Sequence, residues 1–294
     1  MKRFFALFLL FVLILTGCGT VEAPAQIAAT TLPVYEFTTL LCQGTPLTVT
    51  RLVTEEVSCL HDYSLNVRQV KAAEAAELIV ISGAGLEEFM EDLLTDSASI
   101  DASSGIELLC PEDAHDHDHM EESHEGHHHA QDPHIWLSPE NAMIMAANIC
   151  RGLSAQYPAF TDTFEDNLSA LLSRLEELQI YAEETLANLA CRDLITFHDG
   201  FSYLADSFHL HILEAVEEES GSEASARELI HLIEEVRHHD LPAIFTERSG
   251  SVSAAGIISR ETGAGVYVLD MAMAGDSYFD AMYHNIDTLK EALG

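Results

Sequence analysis

Apolar residues change their spacing along this chain in a way that separates strands from helices. "IAATTLPVYEFTTLLC", from Ile27, opens as a short apolar run and continues at helical spacing, predicting a strand that runs into a helix. "TPLTVTRLVT" mixes β-branched and polar residues and predicts a second strand. "VRQVKAAEAAELIVISGAGLEEFMEDLL" predicts helix, strand, glycine turn and helix. Its "ELIVIS" run has the unbroken apolar character of a strand covered on both faces. From Asp166 to Leu189, apolar residues fall at Leu168, Leu171, Leu172, Leu175, Leu178, Ala182, Leu186 and Leu189, one face of a long helix. At 1.5 Å per residue that helix reaches roughly 35 Å, about the width of a small domain. The strand–helix rhythm then returns through "DLITF", "GFSYLADSF", "HILEAV", "SARELIHLIEEVRHH", "PAIFTE", "SAAGIISRETG" and "VYVLD", and closes on the amphipathic "YFDAMYHNIDTLKEAL". The pattern predicts an α/β fold of two lobes with mainly parallel sheets. An N-terminal lobe over 27–160 and a C-terminal lobe over 191–294 are joined by a linking helix over 161–190.

Two stretches fall outside this rhythm. Lys2 and Arg3 precede an apolar run from Phe4 to Leu15 that ends in Leu15-Thr16-Gly17-Cys18, the pattern of an export signal. The run is short for a transmembrane helix, which takes about 20 apolar residues. Leu-Thr-Gly-Cys resembles a bacterial lipobox, so 1–17 reads as a signal peptide and Cys18 as the lipidated start of a tether over 18–26. A plain cleaved signal with an incidental cysteine is the alternative. The expected location is extracytoplasmic, at the membrane through a lipid anchor. The second stretch, 112–130, is acidic and His-rich without apolar periodicity, and reads as a solvated loop.

Charge narrows the partners. With 49 acidic and 13 basic residues the formal net charge is −36, which argues against nucleic acid and suits a surface that attracts cations. Five cysteines follow Cys18, namely Cys42, Cys59, Cys110, Cys150 and Cys191, and none forms a Cys-x-x-Cys zinc pattern. Export permits disulfides, buried thiols are equally consistent, and sequence gives no pairing.

Histidine is the candidate chemistry. His115, His117, His119, His124, His127, His128 and His129 crowd the acidic loop. Outside it, His61 stands in "CLHDYSLN", His134 in "DPHIWLSP", His198 in "FHDGFSYL", and Asp270 ends "VYVLD". Most of these positions follow a strand, and ligands of open α/β sheets gather beyond the carboxyl ends of strands. Taken singly, His61 also fits a surface or core histidine and Asp270 a helix cap. "DPHIWLSP" is the specific motif, because prolines stiffen both sides of His134. A rigid loop plugging a core with Trp136 accounts for its other residues but leaves His134 idle.

At these residues the chain resembles the metal-binding receptors of bacterial ABC transporters, the zinc and manganese type, over most of its length. The cues are "TTLPVYEF", "HDY", "SGAGLEEFMEDLL", "DPHIWLSP", "TFHDGFSYL", "FTE", "ETGAGVYVLD" and "LKEALG". The resemblance implies two α/β lobes joined by a rigid long helix, with one metal between them. Carried over by position, the ligands are His61, His134, His198 and Asp270. It also implies a monomeric receptor that serves a membrane permease driven by an ATPase. The chain departs from the family pattern before and after His61, at Glu219-Ser220-Gly221, and at Met271, where the family usually has Pro.

Three imidazoles and one carboxylate suit Zn2+. In the resembling family manganese receptors tend to carry Glu at the position of His198, and a second carboxylate would harden the site toward Mn2+. The expected ligand is therefore Zn2+ rather than Mn2+. The His-rich loop is an accessory: ordering so polar a segment costs about 1–2 kcal/mol of backbone entropy per residue, so it suits several loosely held ions. Three function classes share this metal chemistry. The first is a receptor that delivers zinc to a permease, and no enzyme. The second is a cell-surface zinc hydrolase, for which Glu247 is the candidate base. The third is a metal-coated adhesin or zinc chaperone.

Overall fold

The structure, a computed structural model, describes residues 25–55, 57, 60, 63–109, 131–216, 225–248 and 252–294. The signal segment, Cys18, Cys59, His61, Cys110 and the seven loop histidines lie outside the described residues. Strands β1 (Ile27–Ala29), β2 (Val49–Arg51), β3 (Leu78–Ile81) and β4 (Ser99–Asp101) form one sheet in the order β2-β1-β3-β4. Strands β5 (Asp193–Thr196), β6 (His211–Ala215), β7 (Ala243–Glu247) and β8 (Gly265–Leu269) form a second, in the order β6-β5-β7-β8. Every neighbouring pair is parallel. Each sheet thus reverses its winding once, between β1 and β3 and again between β5 and β7. Such switch points open crevices at the carboxyl ends of strands. β1 and the first three residues of β3 are buried, as strands covered by helices on both faces must be.

Helices α1 (Leu32–Leu41), α2 (Val67–Ala75), α3 (Glu91–Thr95) and α4 (Pro139–Gln156) belong to the first half, and α5 (Thr161–Leu186) is the long helix. Its 26 residues bury Phe164, Leu171, Leu175, Leu178, Ala182 and Leu186 against α4 and α9 (Tyr278–Leu293). It ends at Leu186 because Arg192 caps it, donating from Nη2 to the carbonyls of Leu186 and Ala187. Helices α6 (Ser202–Ser207), α7 (Ala226–His238) and α8 (Val252–Thr262) complete the second half. Two elements were not anticipated. α4 starts on the Ser138 cap with Pro139 in its first turn, and buries small residues, Ala142 and Ala146, beside Met145 and Ile149. β4 is only three residues long, and Ile100 from it packs on Gly152 of α4, where a Cβ would stand 2.5 Å from the Ile100 side chain. Among the described residues no helix is long and apolar enough to cross a membrane. Cys42, Cys150 and Cys191 carry free thiols, and burial pushes Cys42 up to about 12.

One core cluster runs through both halves, with fully buried Trp136, Tyr278 and Phe37 among its largest side chains. Polar bonds fix the register of the junction. Leu32 N–H donates to the Met273 carbonyl at 3.3 Å, and Trp136 Nε1 donates to the Met271 carbonyl at 2.8 Å. Tyr278 Oη donates to the Trp136 carbonyl at 2.8 Å, and the Glu36 carboxylate of α1 accepts the Tyr278 N–H at the start of α9. A buried polar bond left unmade costs more than a made one contributes, so these pairs specify one docking geometry.

Glu87 braces the crevice end of the first sheet. Its carboxylate accepts from Thr30 Oγ1 at 2.6 Å, Ser82 N–H at 2.8 Å and Gly83 N–H at 3.0 Å. Gly83, Ala84 and Gly85 all hold positive φ, which wraps the "SGAG" turn around this buried acid. Burial raises its pKa from 4.5 to about 7 in spite of those donors. Between these values the unfolded chain has released a proton that the folded chain keeps, so stability falls as pH rises through that window. Glu87→Gln has no such exchange. Its stability deficit against wild type is expected to shrink by roughly 2 kcal/mol between pH 5 and pH 8 in urea unfolding of metal-free protein. A deficit that stays constant over this range would contradict the buried, proton-holding carboxyl.

Candidate metal centre

The "DPHIWLSP" segment builds one wall of the crevice. Ile135, Trp136 and Leu137 form a single 3-10 turn and are fully buried, which leaves His134 no freedom to leave the site. Asp132 Oδ1 accepts the His134 backbone N–H at 2.9 Å and lies 2.8 Å from His134 Nδ1. A carboxylate can only accept, so Nδ1 carries a proton, which in the Nδ1–H tautomer leaves the Nε2 lone pair for a ligand. That Nε2 is buried and, among the described residues, has no hydrogen-bond partner. A carboxylate behind a histidine whose other nitrogen is aimed into a site is the usual support of a metal-ligating imidazole.

His198 comes from the opposite half. It follows β5 by two residues, after Phe197 N–H donates to the Phe245 carbonyl of β7 at 2.8 Å. Gly200 is required beside it: a Cβ there would stand 2.7 Å from His198 Cδ2 and collide with the Met271 side chain. The His134 and His198 ring centroids are 5.4 Å apart at an interplanar angle of 82°. A tetrahedral cation that holds two imidazoles at about 2.0–2.1 Å sets their centroids roughly 5 Å apart. The observed separation is close to that spacing.

Asp270 directly follows β8 and faces a different neighbour. Asn285 of α9 clasps its backbone, accepting the Asp270 N–H and donating to the Asp270 carbonyl, both at 2.7 Å. Its Oδ1 accepts Ala272 N–H at 2.8 Å, and its Oδ2 pairs with Arg248 Nη2 at 2.8 Å. A small cavity of about 20 Å3 lies here, lined by Val57, Glu247, Arg248, Asp270, Met271 and Met273. Glu247, at the end of β7, is 5% exposed. Met271 bridges the two places, its carbonyl on Trp136 and its methyl beside Gly200. Among the described residues no three His, Cys, Asp or Glu side chains close on a common metal position. The structure thus brings His134 and His198 together and puts Asp270 on Arg248, while His61 lies outside the described residues.

Two further residues organise the site without having been anticipated. Asp132 was quoted within the motif but given no role; its position two residues before His134 was the available signal. Tyr203 of α6 closes the base of the acidic loop, accepting from Leu109 N–H at 3.0 Å and donating to the Asp132 carbonyl at 3.1 Å. Asp132 N–H also donates to the Leu109 carbonyl at 3.1 Å. Leu109 and Asp132 are therefore joined directly, two residues from His134. Nothing in the sequence announces a tyrosine clasp 71 positions away from Asp132.

Comparison with known proteins extends this geometry. The family model for the periplasmic zinc-uptake complex component A matches residues 27–292. The zinc-binding lipoprotein AdcA of Streptococcus pneumoniae is 31% identical over 297 residues, covering 95% of this chain and 58% of that protein. This chain thus spans little more than half the length of that relative. A putative metal-binding protein of Treponema pallidum is 29% identical over 79% of this chain and 76% of its own length. Among solved structures, ZnuA aligns with a TM-score of 0.77 at 28% identity, over 92% of this chain and 100% of that one. Zn(II)-bound AdcA from Streptococcus pneumoniae aligns with a TM-score of 0.75 at 28% identity, over 92% of this chain and 57% of that one.

Proposed function

Because this chain belongs to the family of periplasmic zinc-uptake complex component A proteins, we propose that it is an extracytoplasmic receptor that captures Zn2+ for an ABC permease. The observation that carries this reading is the His134–His198 pair, ring centroids 5.4 Å apart, with His134 buried and Asp132 behind its ring. We assign His61, His134 and His198 as imidazole ligands and Asp270 as the carboxylate. Cys18 carries the lipid anchor that keeps the receptor at the membrane. Zinc is the cargo rather than manganese, because imidazole donors suit a borderline cation and His198 supplies one where an oxygen would favour Mn2+. The relatives are named for zinc binding and uptake, which favours a receptor over a surface hydrolase with Glu247 as base.

Each residue has a task in this reading. Asp132 fixes the His134 tautomer, so the ring meets the cation with a lone pair and not a proton. The histidines of 112–130 collect zinc loosely, and the Tyr203 clasp keeps that loop rooted beside the tight site. Asp132→Asn is expected to lower zinc affinity ~10–100-fold, the usual effect of an outer carboxylate, in chelator competition; an unchanged affinity would remove Asp132 from the site. For the function itself, cells lacking this protein should grow poorly under zinc limitation and recover with the wild-type chain but not with a His134→Ala, His198→Ala variant. Equal zinc uptake with and without the protein would overturn the reading.

A further inference from the structure

Asp270 already has a cationic partner. Arg248 Nη2 lies 2.8 Å from its Oδ2, Ala272 N–H occupies its Oδ1, and Asn285 fixes its backbone from both sides. Each carboxylate oxygen is therefore engaged once, whereas His134 Nε2 is buried without a partner among the described residues. We propose that Arg248 is a specificity-determining residue of the metal site, whose guanidinium competes with the cargo for Asp270. The inference rests on the receptor reading above.

The competition is for the Oδ2 atom that Arg248 holds. The cavity between Arg248 and Asp270 measures about 20 Å3, space for about one water. A cation that takes the Oδ2 position Arg248 now holds displaces the guanidinium. Arg248 has somewhere to go, since its side chain is 53% exposed while that of Asp270 is 13% exposed. The two metals differ in how much they lose while Arg248 stays. Zinc is stable on three imidazoles plus a water. Manganese stands lowest in the Irving–Williams order and depends more on oxygen donors. Holding the carboxylate on arginine thus penalises Mn2+ more than Zn2+. Arg248 discriminates by withholding a hard ligand, in addition to what the imidazoles contribute by being soft.

Four proteins test this: wild type, Arg248→Gln, Asp270→Asn and the double variant, each titrated with Zn2+ alone and Mn2+ alone against a chromophoric chelator. Arg248→Gln is expected to shift the zinc-to-manganese affinity ratio toward manganese by ~10-fold, the scale on which groups around a metal site act. The double variant should return the ratio close to that of wild type, because the gain passes through the Asp270 carboxylate. A ratio unmoved by Arg248→Gln overturns the inference. So does a shift that survives in the double variant, because it would then not pass through the Asp270 carboxylate. His198→Ala in the same series separates the two readings. If it retains tight zinc binding, the metal site itself is misplaced; if it loses zinc while Arg248→Gln leaves the ratio unmoved, only the role of Arg248 falls. Thermal unfolding of each metal-free variant checks that the fold is intact.

Discussion

His134→Ala is expected to abolish tight zinc binding, a loss beyond the ~10–100-fold that removal of an outer partner produces. His134 is the most constrained of the proposed ligands. Its ring is held by Asp132, packs edge-on against Trp136 at 5.4 Å, and follows a loop clasped by Tyr203. The adjoining Ile135, Trp136 and Leu137 are apolar and fully buried, so they offer no replacement donor. The measurement is thermal unfolding with and without zinc. At a hundredfold excess over its dissociation constant, a ligand stabilises the folded state by about 2.7 kcal/mol. Wild type should gain on that scale and the variant should gain nothing, while their metal-free midpoints stay close. A variant stabilised by zinc as strongly as wild type would place the tight site elsewhere.

His198→Glu is expected to alter which metal is preferred. It keeps a donor at the end of β5 but replaces nitrogen with hard oxygen and adds negative charge to a site that already holds Asp270. Zinc affinity should fall by at least ~10–100-fold, and manganese should lose less or gain, because oxygen-rich sites suit it. His198→Ala should weaken both, leaving a coordination position to water. Competition titrations with each metal read the ratio directly. Were His198→Glu to keep the wild-type ratio, His198 would not be a ligand and the preference for zinc would lose its main support.

How far these residues could be read in advance depended on the range of the interaction. Unbroken apolar runs such as "LIVI" and the leucine stripe of the long helix are local patterns, and both elements formed where the pattern lay. α4 went unassigned because its buried face is largely alanine and methionine, which leave a weak hydrophobic stripe, and β4 because a three-residue strand has no period. At the site, His134 was legible through its flanking prolines, and His198 and Asp270 through the strands they follow. What could not be read was which group each of them meets. The Arg248–Asp270 pair spans 22 positions, the Trp136–Met271 bond 135, and the Tyr203 clasp joins two ends of a loop. Such contacts are set by how the two sheets dock, and residue spacing carries no record of that.

The central claim is that the tight site lies in the crevice at His134 and His198, not in the His-rich loop. Calorimetric zinc titration of a chain lacking residues 112–130 tests it most directly. The excision is structurally gentle, because Leu109 and Asp132 already meet through a 3.1 Å backbone hydrogen bond and a short bridge can rejoin them. One zinc should still bind with wild-type affinity, with only the weaker binding events gone. A deleted chain with no tight zinc site would contradict the claim and make the loop the receptor.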